Sequence, residues 1–210
     1  MKTNLLIIGA NGAISKHVID FLQKEDHINI TLFARNTNVL NNSTAAIITG
    51  DALNSDDLDQ AIKGQDIVYA NLSGPMDQFA EKIVTSMDKN SVKRLIFVTS
   101  LGIYKEIPGK FGEWNERIIG ADLVRYRHAA DSIEASDLDY TIVRPSWLTD
   151  KDETDYETTQ KGEPFTGTEV ARKAVAAYIA DLIHNPEKDS RASVGINKPG
   201  VYGDKPSFYS

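Results

Sequence analysis

The stretch Leu5-Leu6-Ile7-Ile8-Gly9-Ala10-Asn11-Gly12-Ala13-Ile14-Ser15 decides how the rest of this chain is read. An apolar run breaks into glycines and then into an amphipathic helix pattern. That order predicts a buried parallel strand, a tight turn and a helix N-terminus. Such a turn gathers free backbone N–H groups at the positive end of a helix dipole, which makes a phosphate site. Gly9 permits the turn, and Gly12 lets the backbone approach a pyrophosphate that a Cβ would block. The third small position of the dinucleotide fingerprint is Ser15 in place of Gly or Ala, a modest departure. The pattern follows a strand and opens a helix, which is the context it needs. Gly9, Asn11, Gly12, Ala13 and Ile14 are therefore candidate contacts to a dinucleotide.

Outward from this stretch, strands and helices alternate to the end of the chain. Strands are expected near 3–8, 28–33, 45–49, 66–71, 93–99, 139–144 and 192–196. The apolar ones, such as Leu95-Ile96-Phe97-Val98, are continuous runs, as expected where helices cover both faces of a parallel sheet. In the first helix Ile14, Val18, Phe21 and Leu22 form one apolar stripe. Ser55-Asp56-Asp57-Leu58 reads as a capped helix start, acidic in its first turn. Val170, Ala174, Ala177 and Tyr178 mark the last long helix, which should stop before Pro186. The fold class is α/β: a single Rossmann-like domain over residues 1–210, with a doubly wound, mostly parallel sheet of about seven strands. Segments near 101–112 and 146–168 read as irregular. Both follow strand carboxyl ends, where ligands bind in open α/β sheets, so they are the expected walls of a substrate pocket.

Composition narrows the function classes. The chain carries a net charge of −7, which argues against a nucleic-acid surface, since phosphate contacts need clustered Lys and Arg. It contains no cysteine, which excludes disulfides, a thiol nucleophile and thiolate zinc sites. The opening apolar run is too short for a signal peptide or a membrane span. The Asn-x-Ser triplets at Asn41 and Asn71 then read as chance, and a cytoplasmic protein acting on a small molecule is expected. His17, His27, His128 and His184 are scattered without metal-ligand spacing, so no metal site is expected.

Which dinucleotide is expected depends on the end of the second strand, where a carboxylate usually holds the ribose 2′-hydroxyl. Here Ile30-Thr31-Leu32-Phe33-Ala34 runs into Arg35 and Asn36. A guanidinium there pairs with a 2′-phosphate, which favours NADP over NAD, although an arginine after a strand is also an ordinary surface residue. Asp51 and Ala52, after the third strand, are placed to meet the adenine. Asn71, Leu72 and Ser73 close the fourth strand at the switch in strand order, where they would line the nicotinamide ribose or simply form a strand-to-helix turn.

Gly9-Ala10-Asn11-Gly12, Gly50-Asp51, Val98-Thr99-Ser100 and Leu138-Asp139-Tyr140-Thr141-Ile142-Val143-Arg144-Pro145 together resemble an atypical short-chain dehydrogenase/reductase. The nearest branch is that of compact NAD(P)-binding proteins of the NmrA-like and flavin- and biliverdin-reductase-like kind. The likeness covers essentially the whole chain. It implies that Tyr140–Pro145 is the sixth strand with its following turn, and that Pro145 and Ser146 border the nicotinamide. It also implies a Ser, a Tyr and a Lys four residues after the Tyr, the lysine lowering the phenol pKa for proton exchange. Ser100 matches the serine, and Tyr126 stands at a suitable separation, but position 130 is alanine. Ile119, Leu123, Tyr126, Ala130 and Ile133 also recur as a core-facing helix stripe, a competing role for Tyr126. Tyr104, directly after the fifth strand, is a second candidate phenol. Phe111 and Trp114, with Tyr104, are candidates for an apolar pocket wall.

The resemblance leaves more than one function open. The leading expectation is NADPH-dependent reduction of a small planar acceptor, a flavin, quinone or tetrapyrrole, whose chemistry needs little help from a protein acid. An NmrA-like dinucleotide sensor without catalysis fits the missing lysine equally. A sugar-nucleotide epimerase or dehydratase ranks last, because such enzymes need the Tyr-Lys pair and a larger C-terminal lobe.

Overall fold

The structure is a computed structural model that describes residues 2–40 and 45–209; the triplet beginning at Asn41 lies outside them. In chain order the elements are β1 (Thr3–Ile8), α1 (Ala13–Leu22), β2 (Ile28–Ala34), β3 (Ala46–Thr49), α2 (Ser55–Ile62), β4 (Ile67–Ala70), α3 (Met76–Lys89) and β5 (Arg94–Val98). There follow α4 (Gly109–Glu134), β6 (Asp139–Pro145), β7 (Trp147–Thr149), β8 (Glu157–Gln160), β9 (Glu169–Ala171), α5 (Arg172–His184) and β10 (Ala192–Asn197). The main sheet has eight strands in the order β3-β2-β1-β4-β5-β6-β10-β8, parallel throughout except for the β10–β8 pair. Strand order reverses between β1 and β4, so the crevice at that switch point opens beyond the carboxyl ends of both.

The continuous apolar runs have the cause expected of them. Leu5 and Ile7 of β1 face a core shared with α1 and α5, while Leu6 and Ile8 face a second core shared with α2, α3 and α4. Both faces of the sheet are thus covered, and alternation of polar and apolar residues is lost. The expected α/β class with a doubly wound, mostly parallel sheet is borne out. Each expected strand forms, but the sheet gains an eighth. The extra strand, β8, is Glu157-Thr158-Thr159-Gln160, a polar edge strand inside the segment read as irregular, and no apolar periodicity announced it. The short parallel pair β7–β9 lies partly in the same segment. Likewise α4 begins at Gly109, within the 101–112 segment, and α2 is capped by Asn54, whose side chain accepts from the Asp56 and Asp57 amides. Among the described residues no helix is long and apolar enough to cross a membrane.

One buried charge braces this architecture. Arg144, fully buried at the end of β6, forms an ion pair with Glu106. It also donates to Ser193 Oγ at 3.1 Å, and to the carbonyls of Thr159 and Ser193 at 3.2 Å each. Glu106 in turn accepts from the amides of Gly102 (3.0 Å) and Tyr104 (2.9 Å), which folds the loop after β5. The sequence places Arg144 only within the sixth strand and its following turn, and carries no sign of this role. Removing Glu106 leaves a buried guanidinium without its partner, a defect that costs about 3–5 kcal/mol. Glu106→Ala is therefore expected to lower the urea-unfolding free energy by that amount; a loss below about 1 kcal/mol would show the pair to be dispensable.

Candidate dinucleotide and substrate clefts

The turn after β1 is built as a cradle. Gly9 has φ of +82°, and a Cβ there would sit 2.1 Å from the Asn71 carbonyl oxygen, so the position needs glycine on both counts. Its carbonyl accepts from the Gly12 amide (2.9 Å) and from Ser15 Oγ (3.0 Å). Ser15 Oγ accepts from Asn71 Nδ2 at 3.0 Å, which locks α1 to the end of β4. The first intrahelical bond runs from the Lys16 amide to the Gly12 carbonyl (3.0 Å), so the amides of Ala13, Ile14 and Ser15 lie ahead of the ladder. Gly12 is the N-cap and offers no side chain to occupy them. Asn11 donates from Nδ2 to the Asn36 carbonyl (2.6 Å), and its Oδ1 is buried without a partner. These residues fit an anionic diphosphate: uncapped amides, a helix dipole and a glycine floor converge on one place.

A cleft of about 440 Å³ opens over this cradle. Its floor is the turn from Gly9 to Ile14. Its sides come from the ends of β2, β3 and β4, and they include the other dinucleotide candidates Arg35, Asp51, Ala52, Asn71, Leu72 and Ser73. Arg35 is exposed at the rim, beside Asn36. One oxygen of Asp51 accepts from its own turn, at the Leu53 amide (3.0 Å). A second cleft of about 360 Å³ continues from the first; Leu148 and Arg172 line both. Ser100, Tyr126, Pro145 and Ser146 line the second cleft, with Trp147 and Phe208 as further apolar wall.

The remaining candidates fall differently. Tyr104 lines neither cleft: its hydroxyl donates to Glu134 (2.6 Å) and accepts from Ser193 Oγ (3.1 Å), and its ring lies under the Arg127 guanidinium. Burial, then the Glu134 bond, pushes its pKa up. Phe111 and Trp114 belong to a small separate core with Leu101 and Phe165. The Ser146 hydroxyl is engaged by the Gly167 carbonyl at 2.7 Å. Tyr126 is half-buried and faces the second cleft, where burial, then the Asp122 carboxylate, raises its pKa. Ala130, at the position where a lysine would lower it, is fully buried. Sequence reading missed Leu148, Arg172, Trp147 and Phe208. Arg172 sits at the start of a helix and looked like an ordinary solvated residue; its side chain is held by Asp150 at 2.7 Å.

Residues 9–186 match the model of a family described as NAD(P)H-binding. The chain belongs to that family. Among curated proteins no match was found. Among solved structures this NAD(P)H-binding chain is similar to a Rossmann-fold NAD(P)-binding family protein from Shigella flexneri, with 48% identity and a TM-score of 0.85, over 99% of this chain and all of that one. It is also similar to a short-chain dehydrogenase/reductase from Veillonella parvula solved in complex with NADP (28% identity, TM-score 0.90, over 99% of this chain and 100% of that chain). The fold is shared with ChuY, an anaerobillin reductase from Escherichia coli O157:H7, at 23% identity and a TM-score of 0.82, over 96% of this chain and all of that one. The resemblance to short-chain dehydrogenases/reductases drawn from the motifs is borne out.

The two glycines of the cradle are expected to fail differently. Gly9→Ala meets backbone and a left-handed φ, and left-handed strain alone is about 1–2 kcal/mol; thermal unfolding should show the loss. In Gly12→Ala, where φ is ordinary, the new Cβ meets the Asn71 side-chain amide at 2.4 Å, which can move, and the Gly9 carbonyl oxygen at 3.2 Å, which must give by a few tenths of an ångström. The fold should survive while NADPH binding weakens, as read by calorimetry.

Proposed function

We propose that this protein is an NADPH-dependent oxidoreductase, cytoplasmic by its composition, that reduces a small planar acceptor of the flavin, quinone or tetrapyrrole kind. The observation that carries the reading is the continuity of the two clefts at Leu148 and Arg172. A charged cradle on one side leads directly into an apolar, aromatic-walled space on the other. In this reading Gly9, Asn11, Gly12, Ala13 and Ile14 hold the diphosphate, and Asp51 and Ala52 receive the adenine. Arg35 pairs with the 2′-phosphate, as a guanidinium does bidentately. Asn71, Leu72, Ser73, Ser100, Pro145 and Ser146 border the nicotinamide end, and bound NADPH supplies hydride. The domain spans the whole chain, with 101–112 and 146–168 contributing to the acceptor side through Leu101, Pro145's successors and Leu148.

The chain's own contribution to the chemistry is position. Tyr126 and Ser100 offer hydroxyls to an acceptor, while Trp147, Leu148 and Phe208 exclude water and favour a flat ring. Tyr126 keeps its proton, because burial and Asp122 hold its pKa above the ordinary phenol value and, among the described residues, no cation opposes them. It acts as a hydrogen-bond donor that orients the acceptor. The competing sensor reading rests on a specific observation too: alanine fills the place of the catalytic lysine.

Turnover separates the readings. Steady NADPH oxidation with any member of a flavin and quinone panel supports the enzyme; tight binding with no turnover across that panel supports the sensor. Arg35→Asp should weaken NADPH binding about tenfold or more, equivalent to 1.4 kcal/mol, with NADH binding unchanged; equal NADPH affinity would remove the basis for the cofactor preference. A group whose pKa is raised stays protonated at every pH below it, so Tyr126 contributes no ionisation between about pH 6 and 9. The kcat profiles of the parent and Tyr126→Phe should therefore run parallel over that range, and an inflection lost in the variant would show a phenolate at work.

A further inference from the structure

Opposite both clefts, at the amino-terminal end of the sheet, the fold gathers side chains that are distant in sequence. Glu25 and His27 lie in the turn from α1 to β2, and His184 is the last residue of α5. The turn is fixed by its backbone: the Glu25 amide donates to the Leu22 carbonyl (3.0 Å), and the Ile28 amide to the Glu25 carbonyl (3.2 Å). The His27 carbonyl accepts from the Thr3 amide at 2.9 Å, which ties the turn to β1. His184 arrives because α1 and α5 share one face of the sheet and one core. The Glu25 carboxylate sits between the two imidazoles, its oxygens 2.8 and 3.0 Å from His184 Nε2 and one of them 3.2 Å from His27 Nε2. One ligand atom from each of the three residues lies within 4.8 Å of the other two.

We propose that Glu25, His27 and His184 form a binding site for a borderline divalent transition cation, zinc above all. Two imidazoles and one carboxylate with a water are a standard tetrahedral zinc set, with bonds of about 2.0–2.2 Å that place ligand atoms about 3.3 Å apart. The Glu25–His184 and Glu25–His27 separations already stand near that spacing. The remaining one, between the imidazoles, closes by rotation of His27, the more exposed ring, with 65% of its side chain accessible. Asp181, one helical turn before His184, is paired with Lys188, so the carboxylate that faces both imidazoles is that of Glu25. Nitrogen donors set it apart from calcium and magnesium sites, which take oxygen ligands. A cation held here clamps the end of α5 to the α1–β2 turn, and so reinforces a junction that otherwise rests on packing and the Glu25–His184 hydrogen bonds. Its distance from the clefts makes it a structural site, independent of the reductase reading.

The test uses metal-free full-length protein titrated with zinc chloride at neutral pH. Calorimetry should show one site per chain, and saturating zinc should raise the melting temperature. Cobalt should give the visible absorption of a tetrahedral complex, and magnesium should give no heat. Loss of outer-shell partners alone lowers metal affinity about 10–100-fold, so His27→Ala, His184→Ala and Glu25→Gln should each weaken zinc binding at least tenfold. NADPH binding by the same variants should stay unchanged, which reports that they fold. His17→Ala should bind zinc as the parent does. If zinc gives neither heat nor a stability shift, or if His184→Ala binds it as tightly as the parent, the three residues are a hydrogen-bonded surface cluster and the proposal is overturned.

Discussion

The Gly9 carbonyl organises the candidate diphosphate cradle. It accepts from the Gly12 amide and from Ser15 Oγ, and Ser15 in turn is held by Asn71 at the end of β4. The turn, the first helix and the strand across the switch point are therefore set by one short chain of hydrogen bonds. Because those bonds use the carbonyl and the side chains, the amides at the start of α1 remain for a ligand. Ser15 reads in the sequence as a departure from the glycine fingerprint. In the structure its hydroxyl does what a third glycine cannot, bonding the strand that the third glycine would merely let approach. Gly12 likewise has a second reason to lack a side chain, since the Asn71 amide occupies the space its Cβ would take.

A second set of polar bonds shapes the loop beside the second cleft. Arg144 and Glu106 are both buried, and between them they hold the loop after β5, the β8 edge and the start of β10. A buried pair of this kind adds little net stability compared with apolar packing, but it fixes geometry because breaking it strands a charge. Tyr104 is part of this brace through Ser193, which explains why a phenol so near the fifth strand never reaches the clefts.

Most of the architecture was legible in the sequence because the sheet is covered on both faces. Strands such as β1 and β5 then carry unbroken apolar runs bounded by turn residues. The polar edge strand β8 and the short β7–β9 pair were not legible, since Glu157-Thr158-Thr159-Gln160 has no apolar face to betray it. The dinucleotide candidates fall along two adjoining clefts, Ser100, Pro145 and Ser146 in the second, because they follow strand carboxyl ends, and topology alone brings such positions together. Arg172, Leu148 and Phe208 had no comparable signal. They come from the start of a helix, a short strand and the chain's last residues, and only the tertiary fold makes them neighbours. The same holds for His27 and His184, which look scattered along the chain and meet across the α1–α5 packing.

The missing lysine constrains the chemistry more than any residue that is present. A tyrosine that passes a proton during hydride transfer needs its pKa brought down toward neutrality, and a nearby cation is the usual means. Tyr126 instead sits in a partly desolvated site beside Asp122, and both influences act in the opposite direction. Transfer to a simple ketone would leave an alkoxide with no acid matched to it. A flavin or quinone spreads the incoming charge over a conjugated ring and takes its proton from water, so the demand on the protein falls to orientation and exclusion of solvent. The aromatic wall of Trp147 and Phe208 meets that demand. The proposed acceptor class therefore rests on what the second cleft lacks, and the proposed planar shape on what lines it.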